Sequence, residues 1–165
     1  MGTHSLLATA GIATIGVATA GLLAAGLVGG QEVASASTDR TLTAHETFTT
    51  TVAQDFGAKG LTPGDRLVFK TEVRDLKGRK LGIGTGDCVL LSGTSDASAL
   101  YNCLETYRLS ANDHVMTSGV FDGAPKINKW AIIGGTGRYR GATGQVDFTQ
   151  PDAAGTFVDT FRFGS

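Results

Sequence analysis

The sequence predicts an all-β protein that folds as a single eight-stranded antiparallel barrel. From residue 43 onward, short runs of alternating apolar and polar residues follow one another, with almost no helical periodicity. Short turn signals rich in Gly, Pro, Asn and Asp separate these runs, which is typical of an antiparallel meander. Closing such a sheet removes its edges, and a barrel of eight strands is filled by side chains or holds one small ligand.

Each predicted strand is an apolar-alternating run bounded by turn residues. The eight runs cover residues 43–54, 65–75, 79–92, 99–109, 113–121, 127–134, 142–150 and 155–163. Alternation in the second run places Leu67, Phe69, Thr71 and Val73 on the buried face. In the last run the same face carries Phe157, Asp159, Phe161 and Phe163. Asp159 among phenylalanines requires a polar partner, so it either pairs with an arginine near the barrel mouth or is a polar group inside a cavity.

A glycine-rich stretch joins the sixth run to the seventh. Its glycines are Gly134, Gly135, Gly137, Gly141 and Gly144. Glycine at this density serves positive φ, sharp reversals or close backbone approach. A phosphate-binding loop would need a Lys and a following helix, and this stretch has neither. The stretch therefore predicts a structural corner between two strands.

The N-terminal segment indicates export. Residues 5–28 carry no charge, and Ala34-Ser35-Ala36 supplies a small-x-small cleavage pattern. We expect a signal peptide at 1–36, a flexible lead-in at 37–42, a barrel domain at 43–165 and a secreted product. Because no Lys or Arg precedes Arg40, an uncleaved membrane anchor with the domain outside is the alternative.

Charge excludes several partners. Glu32 is the one acid before Ser37, so the mature chain has fourteen acids against fourteen bases. No block of like charge occurs, and we therefore expect no contact with nucleic acid or with anionic membrane surfaces. The sequence leaves a homo-oligomer open.

Two cysteines, Cys88 and Cys103, are present. In an exported chain they favour a disulfide, the alternative being two buried free thiols. If they face each other across the third and fourth strands, the register is fixed. That register places Gly86 opposite Glu105, Gly84 opposite Tyr107 and Leu90 opposite Tyr101.

No motif for a metal, a cofactor or a nucleophile is present. The histidines are His4, His45 and His114, without metal-ligand spacing, and no Gly-x-Ser-x-Gly occurs. Glu46, Asp87, Glu105 and Asp159 are candidates for paired carboxylates, but their spacing singles out no pair. We expect neither a metal nor a cofactor.

The glycine-rich stretch resembles the Gly-Gly-x-Gly-x-Phe-x-Gly-Ala-x-Gly corner of allene oxide cyclase barrels and of the related dirigent proteins. Residues 64–69, 75–77, 81–83 and 88–90 fall in the same order and at similar spacing in allene oxide cyclases. The resemblance covers about residues 43–163. It implies a closed barrel that is lipocalin-like in general form.

The resemblance also implies a site. In allene oxide cyclases a glutamate on the first strand lies at the base of an apolar cavity, and Glu46 matches it. That barrel steers the ring closure of a fatty-acid epoxide by shape, without a cofactor, so an isomerase is implied. Phe48 stands where the family has a water-holding Asn, and Phe121 lies near the position of its Tyr. Dirigent proteins have an arginine where this chain has Thr143, so dirigent-type steering loses support.

The expected ligand is a small apolar molecule inside the barrel. Its predicted contacts are Phe48, Phe69, Leu90, Tyr107, Phe121, Asp159 and Phe161. Three functions stay open: a cofactor-free cyclase or isomerase with Glu46 as the catalytic carboxylate, a lipocalin-like carrier, and a structural barrel with a filled interior. For Glu46 the alternative is an ordinary exposed acid at an edge of the first strand.

Overall fold

The computed structural model describes residues 40–124, 126–149 and 151–164. The predicted signal peptide and its cleavage site lie outside the described residues. All eight predicted strands are confirmed, with boundaries within three residues of those expected. The strands are β1 Arg40–Gln54, β2 Arg66–Arg74, β3 Lys80–Ser92, β4 Leu100–Arg108, β5 His114–Asp122, β6 Ile127–Gly135, β7 Gly144–Thr149 and β8 Thr156–Phe163.

The strands form a closed antiparallel barrel in sequence order. Closure is made by β1 and β8, which pair from Arg40 opposite Phe163 to Thr47 opposite Thr156. Because this pairing uses the first residues of β1, the strand begins at Arg40 rather than at residue 43. No helix among the described residues is long and apolar enough to span a bilayer.

A disulfide between Cys88 and Cys103 joins β3 to β4, as predicted. The register that it implies is also confirmed, since Gly86 lies opposite Glu105 and Leu90 opposite Tyr101. The crosslink therefore fixes which residues of β3 and β4 face the interior.

Strand alternation places the buried residues on the inner face of the barrel. Phe69, Thr71 and Val73 of β2 are buried, and so are Asp159 and Phe161 of β8, as the pattern predicts. We call the barrel end that carries the β1–β2, β3–β4, β5–β6 and β7–β8 connections the mouth end, and the opposite end the base end. Side chains fill the middle of the barrel, where Tyr107, Val115, Val146 and Phe161 are at most 1% exposed.

The glycine-rich stretch forms the predicted corner between β6 and β7, at the base end. Gly137 has φ +58°, and a Cβ there would lie 2.3 Å from Asp113 Oδ1 and 2.6 Å from the Asn112 carbonyl oxygen. At Gly135 the need for glycine is spatial, because a Cβ would lie 2.5 Å from the carbonyl oxygen of His114. The corner, which is the β6–β7 connection, packs against the β4–β5 connection at the base end. It is therefore remote from the mouth.

Candidate functional site

An apolar pocket of about 90 Å³ opens at the mouth end of the barrel. All eight strands contribute to its wall. We call it the mouth pocket; it is lined by Glu46, Phe48, Leu67, Phe69, Cys88, Tyr101, Cys103, Glu105, Phe121, Trp130, Phe148 and Phe157. Seven of these twelve residues are aromatic, so the wall consists mainly of rings. The disulfide forms part of the same wall.

Glycines on β3 and β5 make room for the largest rings. A Cβ at Gly86 would lie 2.1 Å from the Phe69 ring, and one at Gly119 would lie 2.4 Å from the Trp130 indole. Each of these rings therefore occupies the space that a side chain at the glycine would need. Phe48 contacts Phe69 edge to face at a centroid distance of 4.9 Å. This packing keeps a narrow space open between the rings.

Three carboxyl groups meet in the barrel interior where the mouth pocket ends. Glu46, Glu105 and Asp159 are 3%, 2% and 0% exposed, and Glu46 and Glu105 also line the pocket. Together with Tyr107, which is fully buried, we call them the carboxyl cluster. They come from β1, β4 and β8, so only the closed barrel brings them together.

Tyr107 is the hydroxyl donor of the cluster. Its OH donates to Glu105 Oε2 at 2.9 Å and approaches Glu46 Oε2 at 3.4 Å. No backbone N–H and no hydroxyl group donates a hydrogen bond to the other carboxylate oxygens, which are Glu46 Oε1, Glu105 Oε1 and both oxygens of Asp159. A Cβ on Gly84 would lie 2.7 Å from Glu105 Oε1 and 2.9 Å from Glu46 Oε1, so both atoms border the same small space.

Burial and mutual repulsion keep protons on this cluster. Burial first, and then the charge of Glu46, raise the pKa of Glu105 and that of Asp159 well above their ordinary values. Hydrogen bonds with Glu46 act in the same direction for both groups. Protons on Glu105 and Asp159 supply the donors that the oxygens otherwise lack. Since Glu105 Oε2 accepts from Tyr107, the proton of Glu105 belongs on Oε1.

No basic side chain neutralises the cluster. All fourteen lysines and arginines lie among the described residues, and every one is exposed. The arginine pairing considered for Asp159 is therefore wrong, and Asp159 is a polar group of the interior. The alternative of Glu46 as an exposed edge acid is also wrong, because the barrel is closed and Glu46 is buried.

The structure divides the seven residues predicted to contact the ligand. Phe48, Phe69 and Phe121 line the mouth pocket. Tyr107 and Asp159 lie beneath it in the carboxyl cluster. Phe161 packs edge to face on Tyr107 at 4.8 Å, and Leu90 is buried outside the pocket wall.

Sequence reasoning missed several wall residues and one acid of the cluster. The additional wall residues are Leu67, Tyr101, Trp130 and Phe148. Glu105 was considered for a carboxylate pair but not assigned to the site. The register fixed by the cysteines could have found it, because Glu105 and Cys103 are two residues apart on β4 and share the inner face.

Within the described ranges, no three His, Cys, Asp or Glu side chains are grouped as ligands for a metal ion. The expectation of a site without metal or cofactor stays a prediction.

Comparison with protein families assigns the barrel. The model of the allene oxide cyclase barrel-like domain matches residues 45–159, which is most of the chain. The chain belongs to this family. The resemblance carried by the glycine corner and by the strand motifs is thereby confirmed, together with the fold class. No curated protein matches the chain in sequence.

Solved structures with the same barrel include catalysts and a dirigent protein. Pyocyanin demethylase is 21% identical with a TM-score of 0.66, over 75% of this chain and 99% of that one. The Diels-Alderase AbmU from Streptomyces koyangensis is 20% identical with a TM-score of 0.58, over 79% and 72%. The pterocarpan synthase dirigent protein PsPTS1 is 16% identical with a TM-score of 0.58, over 78% and 96%. At these sequence identities, the three structures show that the chain shares their fold and nothing more specific.

Proposed function

We propose that this allene oxide cyclase-like barrel binds a small, mostly apolar molecule in its mouth pocket and catalyses its cyclisation or isomerisation without a cofactor. The observation that carries the proposal is an open pocket of seven aromatic rings with two carboxyl groups, Glu46 and Glu105, at its inner end. An apolar wall with few convergent polar groups is the usual composition of a small-molecule site.

The volume of the mouth pocket limits how much of a ligand it can enclose. Its volume of about 90 Å³ is well below the roughly 300–1,000 Å³ of pockets that enclose a whole drug-sized ligand. The pocket therefore takes the reacting end of a ligand, and the rest extends through the mouth. Removal of apolar ligand surface from water contributes about 25 cal/mol per Å².

The carboxyl cluster supplies the chemistry. A substrate held folded between rings reacts faster because positioning removes much of the entropic barrier. The Glu46 carboxylate would stabilise positive charge that develops in the substrate during ring closure. Protonated Glu105 and Asp159 hold Glu46 in place through hydrogen bonds. The names of two similar structures, a demethylase and a Diels-Alderase, support a catalytic use of this barrel.

A carrier without chemistry is the second candidate. It is favoured by the pocket wall, which is apolar except where Glu46 and Glu105 close it. Phe48, at the position of the family's asparagine, contacts Phe69 and Phe157 and adds apolar surface instead of a polar group.

The substitution Glu46→Gln separates the two candidates, because it keeps shape and removes charge. With an unsaturated fatty-acid epoxide as substrate, we expect the rate of ring closure to fall by about tenfold to a hundredfold, the range of one or two units of 1.4 kcal/mol in the barrier. The matched control is Glu72→Gln, since Glu72 lies on the outer surface and pairs with Lys80. Equal rates for the wild type and Glu46→Gln would eliminate the catalytic role and leave the carrier.

Export also belongs to the proposal. The Cys88–Cys103 disulfide supports it, since such bonds persist in oxidising compartments. We expect the secreted protein to begin at Ser37, after cleavage following Ala36. Sequencing of its N-terminus checks this, and an intact leader in the membrane fraction would instead identify an anchor.

A further inference from the structure

We propose that the mouth pocket selects a ligand whose inner end carries a delocalised positive charge, such as a quaternary ammonium group or an N-alkylated aromatic ring. This inference rests on the proposed function in one respect, namely that the pocket binds a small molecule. It adds the chemical class of that molecule's buried end.

The aromatic rings of the chain are concentrated in the mouth pocket. Of the chain's twelve Phe, Tyr and Trp residues, seven line this one pocket. They include Trp130, the ring type that attracts cations most strongly through its electron-rich face. A wall meant only for hydrocarbon would serve equally well with Leu, Ile and Val, and Leu67 is the single aliphatic side chain in it. Aromatic cages of this kind are the common means of binding alkylated ammonium groups.

The acidic groups beneath the rings have no basic partner. Three carboxyl groups lie in the cluster, while every Lys and Arg of the chain is exposed. The two histidines of the described region are half-buried on β1 and at the start of β5, and neither forms an ion pair with the cluster. No cation therefore compensates the acidic groups that close the inner end of the pocket.

The wall of rings favours a weakly hydrated organic cation. A metal ion or a primary ammonium is strongly hydrated and would lose that hydration in a wall of rings. An alkylated or aromatic cation is weakly hydrated, presents methyl or ring surface to the wall, and still lies close to the carboxyl groups of Glu46 and Glu105 at the inner end. The pocket of about 90 Å³ has room for the head of a ligand and not for a whole drug-sized molecule.

The test uses two probes of the same shape, choline and 3,3-dimethylbutan-1-ol, which differ in a quaternary nitrogen against a quaternary carbon. Trp130 is the only tryptophan of the chain and lines the pocket, so its single indole N–H resonance reports occupancy. We expect choline to bind at least about tenfold more tightly than the alcohol, a difference equivalent to about 1.4 kcal/mol.

Equal binding, or tighter binding of the alcohol, would overturn this inference and leave the proposed function standing. Failure of both probes to bind would overturn the inference and count against the proposed function as well.

Variants identify the source of the preference. Glu46→Gln is expected to reduce the ratio of the two affinities to about threefold or less, whereas the surface control Glu72→Gln leaves it unchanged. If Glu46→Gln does not fold, Phe121→Leu replaces one ring of the wall by an aliphatic chain and is expected to weaken choline more than the alcohol. A ratio that survives both site variants would show that neither the charge nor the rings produce it, and the inference would fail.

Discussion

The free energy of unfolding is expected to fall as the pH rises above about 5, because folding places protons on Glu105 and Asp159. Both groups have a pKa raised well above the ordinary values of 4.5 and 3.8, through burial and the charge of Glu46. Below the ordinary values both states are protonated, and the stabilisation is fully present. Above them the unfolded chain releases its protons while the folded chain keeps them, so stability decreases until the folded pKa values are reached. Between the unfolded and the folded pKa, each proton that only the folded chain retains lowers the free energy of unfolding by about 1.4 kcal/mol per pH unit.

Asp159→Asn tests the origin of this dependence. The amide is neutral at every pH and donates a hydrogen bond to Glu46, so one proton is removed from the linkage. Between pH 5 and the folded pKa of Asp159, we expect urea unfolding of the variant to show a slope reduced by about 1.4 kcal/mol per pH unit. The variant should be more stable than the wild type at the alkaline end of that range. The control Asp87→Asn, on the exposed outer face, should keep the wild-type slope. Stability that is constant or increasing over this range would show that the cluster does not retain protons.

Removal of the Cys88–Cys103 bond has the second large expected effect. The two cysteines are separated by 15 positions, and a loop of that size corresponds to about 3 kcal/mol of stabilisation through restriction of the unfolded chain. The double variant Cys88→Ala, Cys103→Ala should therefore unfold at a melting temperature lower by roughly 10 °C. Thermal unfolding followed by circular dichroism measures this shift.

The reductant control separates the crosslink from the lost side chains. Reduction of the wild type should lower its melting temperature nearly as far as the double substitution does, and reductant should not affect the variant. Two thiols titrated in the denatured, unreduced wild type would contradict the presence of the bond.

Strand parity and the cysteine pair predicted much of the fold from the sequence. Alternation in β2 and β8 identified their inner faces, and Cys88 opposite Cys103 set the register of β3 and β4. These features are local or depend on one pairing, so short-range patterns contain them. The glycine corner was likewise recognised because its requirements, such as the positive φ of Gly137, lie within a few residues.

The carboxyl cluster could not be predicted in the same way. Glu46, Glu105 and Asp159 lie on three strands, and only closure of β1 on β8 brings the first and last of these together. Parity gives the face of a residue but not its depth along the barrel axis. This is why Phe161 was expected at the ligand, although it packs beneath the pocket on Tyr107.

A matched pair of substitutions on β2 tests the central claim that the mouth pocket binds a small molecule. Leu67 lines the pocket, whereas its neighbour Val68 is 40% exposed on the outer face. Leu67→Phe therefore fills the pocket, and Val68→Phe adds the same ring outside it. Native mass spectrometry of the proteins purified from their own host should detect a bound small molecule in the wild type and in Val68→Phe, and none in Leu67→Phe. Retention of the ligand by Leu67→Phe, or the absence of any bound molecule from all three proteins, would contradict the account.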